Sequence, residues 1–250
     1  MMLERTNTAE IALHLSPGLV DEDRLVLCDL DGCLVSEGRA YADSAAFLDA
    51  CGDRLWLVSN NSTHCAADLS AALAAGGLTV PASRILLAGE QTLVHLAQLY
   101  PGARLALFAS PAMEAEASRL GFRLTTETPD LALLCRDIQL TLERLNSMAA
   151  LIHGGAEFWV ANTDNAHPGH KGQPIAETGA LIAALRAMLN RVQYESIGKP
   201  HPHLAALALA KSGVNAKDAV FVGDNPATDG AIARAIGIRF IQLQRKGVPA

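Results

Sequence analysis

Two aspartates one residue apart, Asp29 and Asp31, follow directly on the apolar run Leu25-Val26-Leu27-Cys28 and are succeeded at once by Gly32. A short continuous apolar stretch has the pattern of a strand buried on both faces, as in a parallel sheet. Side chains two apart on an extended chain point the same way, so the two carboxylates would share one small region of space. Like charges held that close need a compensating cation, either a metal ion or basic side chains, unless the pair simply faces water where the strand ends. D-x-D-G alone is short enough to arise by chance.

The device recurs. In "AVFVGDNPATDG" an apolar strand runs into Asp224, with Asn225 beside it and Asp229 five residues further on at the start of a helix. "RLWLVSNNS" empties a third apolar run into Ser59, Asn60 and Asn61. In open α/β sheets, ligands bind outside the carboxyl ends of the strands. A set of oxygen ligands with few histidines suits Mg²⁺, which takes one or two carboxylates and completes its shell with water and substrate phosphate. Each segment alone is explained as a solvated strand end or a helix cap, Asp229 especially; the three together are harder to dismiss.

The elements that must position these residues alternate along the chain. "YADSAAFLDACG" reads as a helix stopped by Gly52, and the strand Leu55 to Val58 is followed by a helix capped by Ser62 or Thr63 and ending at Gly76–Gly77. Strand-like "RILLAG", "RLALFAS", "LALLC" and "EFWVAN" then alternate with helix-like "EQTLVHLAQLY", "AMEAEASRLG" and "TLERLNSMAALIHGG". A helix near Ile175 to Leu189, a short strand near Tyr194, a helix opened by Pro202 and the strands "AVFVG" and "IRFIQL" complete the pattern. Such alternation implies an α/β protein with mainly parallel sheets. The first 23 or so residues read as a polar, mildly helical lead-in with no assignable chemistry.

With 250 residues, half of them hydrophobic and 18% charged, the chain can bury one large core or two modest ones. A formal charge of −6 without a Lys/Arg cluster argues against a nucleic-acid partner. Apolar stretches stop well short of bilayer-spanning length and the first residues lack a signal-peptide pattern, so no membrane association and a cytoplasmic setting are expected. Five cysteines without C-x-x-C spacing signal neither a disulfide framework nor a zinc site. Cys33, though close to the aspartates, has no His-containing motif to activate it and reads as structural. The Walker and G-x-G-x-x-G nucleotide motifs are absent.

In this order the motifs resemble the haloacid dehalogenase superfamily of aspartate-nucleophile phosphatases. The four are Asp29-Leu30-Asp31-Gly32, strand-terminal Ser59, Lys199 in "GKP", and Gly223-Asp224 through Thr228-Asp229. "LVSNNS", "IGKPHP" and "FVGDNPATD" are most similar to its NagD-like and p-nitrophenyl phosphatase branch, over about residues 24 to 245. Ser59 lies 28 positions after Asp31, too few for an inserted domain, whereas Lys199 lies 140 after Ser59, enough for a whole one. The resemblance therefore implies a Rossmann-like core with a parallel sheet, from residues 1–65 and 195–250, and an inserted α/β cap of the C2 type over 66–194.

It also implies a mechanism. Mg²⁺ would be held by Asp29, the backbone carbonyl of Asp31 and Asp224, with Asp229 and Asn225 steadying the site from behind. Asp29 would form an aspartyl-phosphate and Asp31 would act as acid and base. Gly32, Ser59, Asn60, Asn61 and Lys199 would hold the phosphoryl group. In the cap, "WVANTDNAHPGHKGQP" is similar to the branch's T-N-x-D segment, with Ala161 in place of threonine, Asn162 kept and Asp164 at the acidic position, which implies a loop that would face the core and a substrate-binding role for Asp164. His167, His170 and Lys171 are candidates for a second anionic group or, with Asp164, for a metal, against the plain alternative of a solvated Pro/Gly loop. The expected partner is a small phosphorylated metabolite, with a homodimer formed through the cap. Two alternatives stand beside the phosphatase: a phosphate- and metal-binding sensor of the same fold, and a phosphotransferase.

Overall fold

A computed structural model describes residues 10–169 and 173–245. In chain order its elements are β1 (Glu10–Ala12), β2 (Leu25–Cys28), β3 (Val35–Ser36), β4 (Arg39–Ala40), α1 (Ser44–Cys51), β5 (Leu55–Ser59), α2 (Ala66–Ala75), β6 (Ile85–Leu87), α3 (Ala88–Leu99), β7 (Arg104–Phe108) and α4 (Pro111–Arg119). There follow β8 (Arg123–Leu124), β9 (Leu131–Leu134), α5 (Leu142–His153), β10 (Glu157–Val160), β11 (Ala166–Pro168), β12 (Pro174–Ala176), α6 (Thr178–Met188), α7 (His203–Ser212), β13 (Ala219–Gly223), α8 (Asp229–Ile236) and β14 (Arg239–Leu243). Among the described residues no helix is long and apolar enough to cross a membrane.

The chain divides into two units, the first taking in the described residues up to Val58, Ser70–Ile85 and Pro200 onward. Its sheet has the order β1-β14-β13-β2-β5-β6. Every residue of β2, β5 and β13 is buried, as continuous apolar runs covered on both faces require. The register is fixed residue by residue, Leu25 to Cys28 lying beside Ala219 to Val222 and Val26 to Cys28 beside Leu55 to Leu57, all parallel. From β2 the sheet grows one way through β5 and β6 and the other way through β13 and β14. The β2–β13 boundary is thus a topological switch point, where strand carboxyl ends leave room for a ligand.

The second unit comprises Ser59–Leu69 and Leu86–Lys199. Its sheet, β10-β9-β7-β8, is parallel, and strand alternation sorts its side chains into two cores. Leu105, Leu107, Leu131, Leu133 and Trp159 pack with Leu93, Leu96 and Met113 of α3 and α4 on one face. Ala106, Phe108, Ala132, Leu134, Phe158 and Val160 pack with Met148, Ile182 and Leu185 of α5 and α6 on the other. Ser110 and Thr141 cap α4 and α5 with their hydroxyls, satisfying otherwise unpaired N–H groups of the first turn.

Several local expectations are corrected. Neither Ser62 nor Thr63 caps α2, which begins only at Ala66. The Asn61 side chain instead accepts the N–H groups of Thr63 and His64, both at 3.0 Å, and Ser62 Oγ takes the Arg136 N–H. Ile175 lies in the hairpin strand β12 and α6 starts at Thr178, because the Pro/Gly-rich loop folds back on itself instead of extending the helix. Near Tyr194 there is one isolated bridge, between Trp159 and Glu195. Pro202 precedes α7 rather than opening it. Part of the lead-in is an edge strand, since β1 pairs with β14. The unit boundaries place residues 70–85 with the first sheet and residues 59–65 and 195–199 with the second unit.

Candidate active site

The predicted residues fall into two groups, one in each unit. In the first unit, Asp29 and Asp224 follow neighbouring strands, Asp224 one residue beyond the level of Asp29, and Asp29 donates its N–H to the Val222 carbonyl at 2.9 Å, prolonging the ladder by one bond. Asp229 opens α8 and is fully buried. Its carboxylate accepts the Asn225 N–H at 3.2 Å, and the Asn225 carbonyl takes the Asp229 N–H at 2.9 Å. Asn225 is thus the hinge of the turn that aims Asp229 inward.

Oxygen atoms of Asp29, Asp224 and Asp229 all lie within 4.8 Å of one another. Three carboxylates at that separation repel unless a cation neutralises them, and hard oxygen donors match a hard divalent ion such as Mg²⁺. Gly32 completes the fit: its φ is +79°, and a Cβ there would come within 2.3 Å of Asp224 Oδ2. The residues fit the cation that the sequence implied, with Asp229 brought close to the other two carboxylates.

Asp31 stands in the loop after β2, partly exposed, and its carboxylate is not a member of that group. The loop is wound tightly, with Gly32 N–H to the Val35 carbonyl at 2.8 Å and Val35 N–H to the Leu30 carbonyl at 3.1 Å, so it leaves the sheet instead of continuing it. Cys33 is buried beside Cys28, the sulfurs 3.7 Å apart. The hydrogen bond with Cys28, then burial, push the Cys33 thiol well above its ordinary range, so it remains a thiol and no nucleophile.

In the second unit, Ser59 is buried at the end of β5 and its Oγ accepts the Asn61 N–H at 3.1 Å. Lys199 is buried as well, and its peptide is held by Asn60: Lys199 N–H to Asn60 Oδ1 at 2.7 Å, Asn60 Nδ2 to the Lys199 carbonyl at 3.0 Å. Asn60 Nδ2 also reaches Asp164 Oδ2 at 2.9 Å. Asn162, fully buried, donates to the Asn60 carbonyl at 2.8 Å and lies within hydrogen-bonding distance of Ser62 Oγ and Thr178 Oγ1.

The His167 Nδ1 meets Glu177 Oε1 at 2.7 Å, and Arg136 Nε lies 3.2 Å from the same oxygen. Among the described residues the group able to hold a metal includes neither His167 nor Asp164. His170 and Lys171 lie outside the described residues. Arg136, Glu177 and Thr178 went unnoticed in the sequence, and Ser62 stood out there only as a helix cap, since nothing links a hydroxyl at 62 to an arginine 74 positions away.

Residues 26–123 match the family described as haloacid dehalogenase-like hydrolase, and residues 196–248 match the one described as HAD-hydrolase-like. The chain is 28% identical over 225 residues to the dihydroxyacetone phosphatase of Corynebacterium glutamicum, covering 89% of this chain and 81% of that protein. It is 28% identical over 207 residues to the ribonucleotide monophosphatase NagD of Escherichia coli K12, covering 82% and 80%. Its fold is similar to that of the glycerol phosphate phosphatase of Mycobacterium tuberculosis in complex with magnesium, with a TM-score of 0.79 at 28% identity over 88% of this chain and 67% of that one.

Proposed function

The chain belongs to the haloacid dehalogenase-like hydrolases, in their NagD-like branch, and from that premise we propose that it hydrolyses small phosphate monoesters through an aspartyl-phosphate at Asp29. It is a phosphoric monoester hydrolase with Mg²⁺ as cofactor. The observation that carries the proposal is the convergence of Asp29, Asp224 and Asp229 at the switch point of a parallel sheet.

Asp29, Asp224 and the Asp31 backbone carbonyl would hold Mg²⁺, with Asp229 and Asn225 behind them, and the ion would supply the positive charge that lets a carboxylate approach a phosphate anion. One oxygen of Asp29 attacks phosphorus while the bond to the leaving alkoxide breaks. Asp31 gives that alkoxide a proton, then takes one from the water that attacks the phosphorus of the acyl phosphate and frees Asp29. Ser59, the amides around Asn60 and Asn61, Gly32 and the Lys199 ammonium hold the phosphoryl oxygens as charge shifts among them. On the same reading the second unit would take the role of a cap, and Asp164 on its loop after β10 would be the residue that reads the leaving group. The same proposal sets the enzyme in the cytoplasm as a homodimer joined through the second unit, on which Ile138 and Leu142 are exposed.

The test is phosphate release from p-nitrophenyl phosphate and a panel of sugar, nucleoside and short-chain phosphates, with Mg²⁺ or with EDTA. Mg²⁺-dependent release is expected. Folded protein that binds Mg²⁺ and phosphate yet releases none would replace the phosphatase with a sensor. Transfer to added alcohols in preference to water would replace it with a phosphotransferase.

A further inference from the structure

Asn60 does more than sit beside Ser59. A carboxamide carries an acceptor and a donor side by side, as a peptide group does, and Asn60 applies both to the peptide groups flanking the Lys199 α-carbon, accepting from its N–H and donating to its carbonyl. The remaining Asn60 amide hydrogen goes to Asp164. Asp164 in turn donates its N–H to Asn162 Oδ1 at 3.1 Å, and Asn162 returns to the Asn60 carbonyl. The three residues close a ring. Gly198 lets the segments approach, since a Cβ there would lie 2.3 Å from the Ala161 carbonyl oxygen.

We propose that Asn60 is the positioning residue of Lys199, and that Asp164 acts as the lock that keeps the Asn60 carboxamide in the orientation that brackets the Lys199 backbone. The proposal rests on the assignment of Lys199 to the phosphoryl group. A lysine side chain has four carbons of rotational freedom, and aiming its ammonium from a buried position begins with a fixed backbone. A flipped carboxamide would present oxygen to the Lys199 carbonyl and to Asp164 together, and the Asp164 carboxylate forbids that.

Asn60→Asp is the discriminating substitution: nearly the same shape, but a carboxylate donates to neither partner and faces Asp164 with like charge. In the otherwise wild-type chain it should raise the dissociation constant of inorganic phosphate and lower kcat/KM by about 10²-fold, the scale of a misplaced catalytic group. The Mg²⁺ concentration giving half-maximal activity should not move. In an Asp164→Asn background the introduced amide can donate to the introduced carboxylate and removes the like charge, so the same substitution should cost several-fold less than in the wild-type chain, the lost donor to the Lys199 carbonyl accounting for the remainder. Equal costs in both backgrounds, a shifted Mg²⁺ response, or joint loss of fold and activity in Asn60→Asp would each overturn the positioning role. Phosphate binding, read by calorimetry, decides it even if the wild-type chain turns over no ester, an outcome that would sink the phosphatase assignment alone.

Discussion

Asp29 and Asp224 emerge from neighbouring parallel strands one residue out of step, since Cys28 is paired with Val222, and a carboxylate oxygen of each lies within 4.8 Å of the other and of one on Asp229. The register of two buried apolar strands, set by packing, therefore fixes the spacing of Asp29 and Asp224.

That spacing costs stability when no cation is bound. Asp224→Asn should raise the unfolding temperature of the protein in EDTA, by relieving repulsion among the three carboxylates, and should abolish most of the stabilisation that Mg²⁺ gives the wild type. Thermal unfolding with and without Mg²⁺ checks both signs. A variant less stable in EDTA, or one stabilised by Mg²⁺ as fully as the wild type, would refute the arrangement.

Gly32→Ala tests the fit around the same cluster. A side chain at φ +79° strains the backbone by about 1–2 kcal/mol, and its Cβ would meet Asp224 Oδ2. The carboxylate is the part free to shift, so weaker Mg²⁺ binding is expected in titrations of activity or melting temperature, beyond the loss of stability seen in urea.

Asn162→Ala should destabilise by about 3 kcal/mol in urea unfolding, because it strips the buried Asn60 carbonyl and the Asp164 N–H of a hydrogen-bond partner and leaves a void among Ser62 and Thr178.

Arg245 braces the loop behind the aspartates, donating to the Cys33 carbonyl, stacking 3.8 Å from the centre of the Tyr41 ring and pairing with Asp43 at 2.9 Å. Burial alone pushes the Asp43 carboxyl up, but its hydrogen bonds with Arg245 and the Leu15 N–H and the Arg245 charge outweigh burial and leave it below the ordinary 3.8. A depressed carboxyl gives stability that is fully present above its unfolded value and is lost as pH falls through the folded one. Asp43→Asn should therefore cost about 1–2 kcal/mol at neutral pH, with the gap to wild type closing below the ordinary value of 3.8. Urea unfolding at several pH values measures that gap.

The strand ends were legible because each couples a buried apolar run to a polar residue, a signal contained within a few positions around Asp29, Ser59 and Asp224. The fold class followed from the same runs alternating with helical ones. What stayed hidden depends on contacts between distant residues: Asn60 is 139 positions from the Lys199 peptide it brackets and 104 from Asp164. Propensity misled at Ser62 and Thr63, good cap residues that lost to the Asn61 side chain, and at Ile175, whose apolar neighbours read as helix while the hairpin claimed it. A three-residue edge strand such as β1, in a polar stretch and held by one neighbour, leaves almost no periodic trace.

The most direct test of the mechanism is to trap the covalent intermediate. Protein mixed with Mg²⁺ and a good substrate, quenched within one turnover and reduced with borohydride, should carry homoserine at position 29 when its peptides are analysed by mass spectrometry. Asp29→Asn should release no phosphate. Unmodified Asp29 in rapidly quenched, actively turning-over enzyme, together with phosphate release by Asp29→Asn near the wild-type rate, would contradict nucleophilic attack by Asp29.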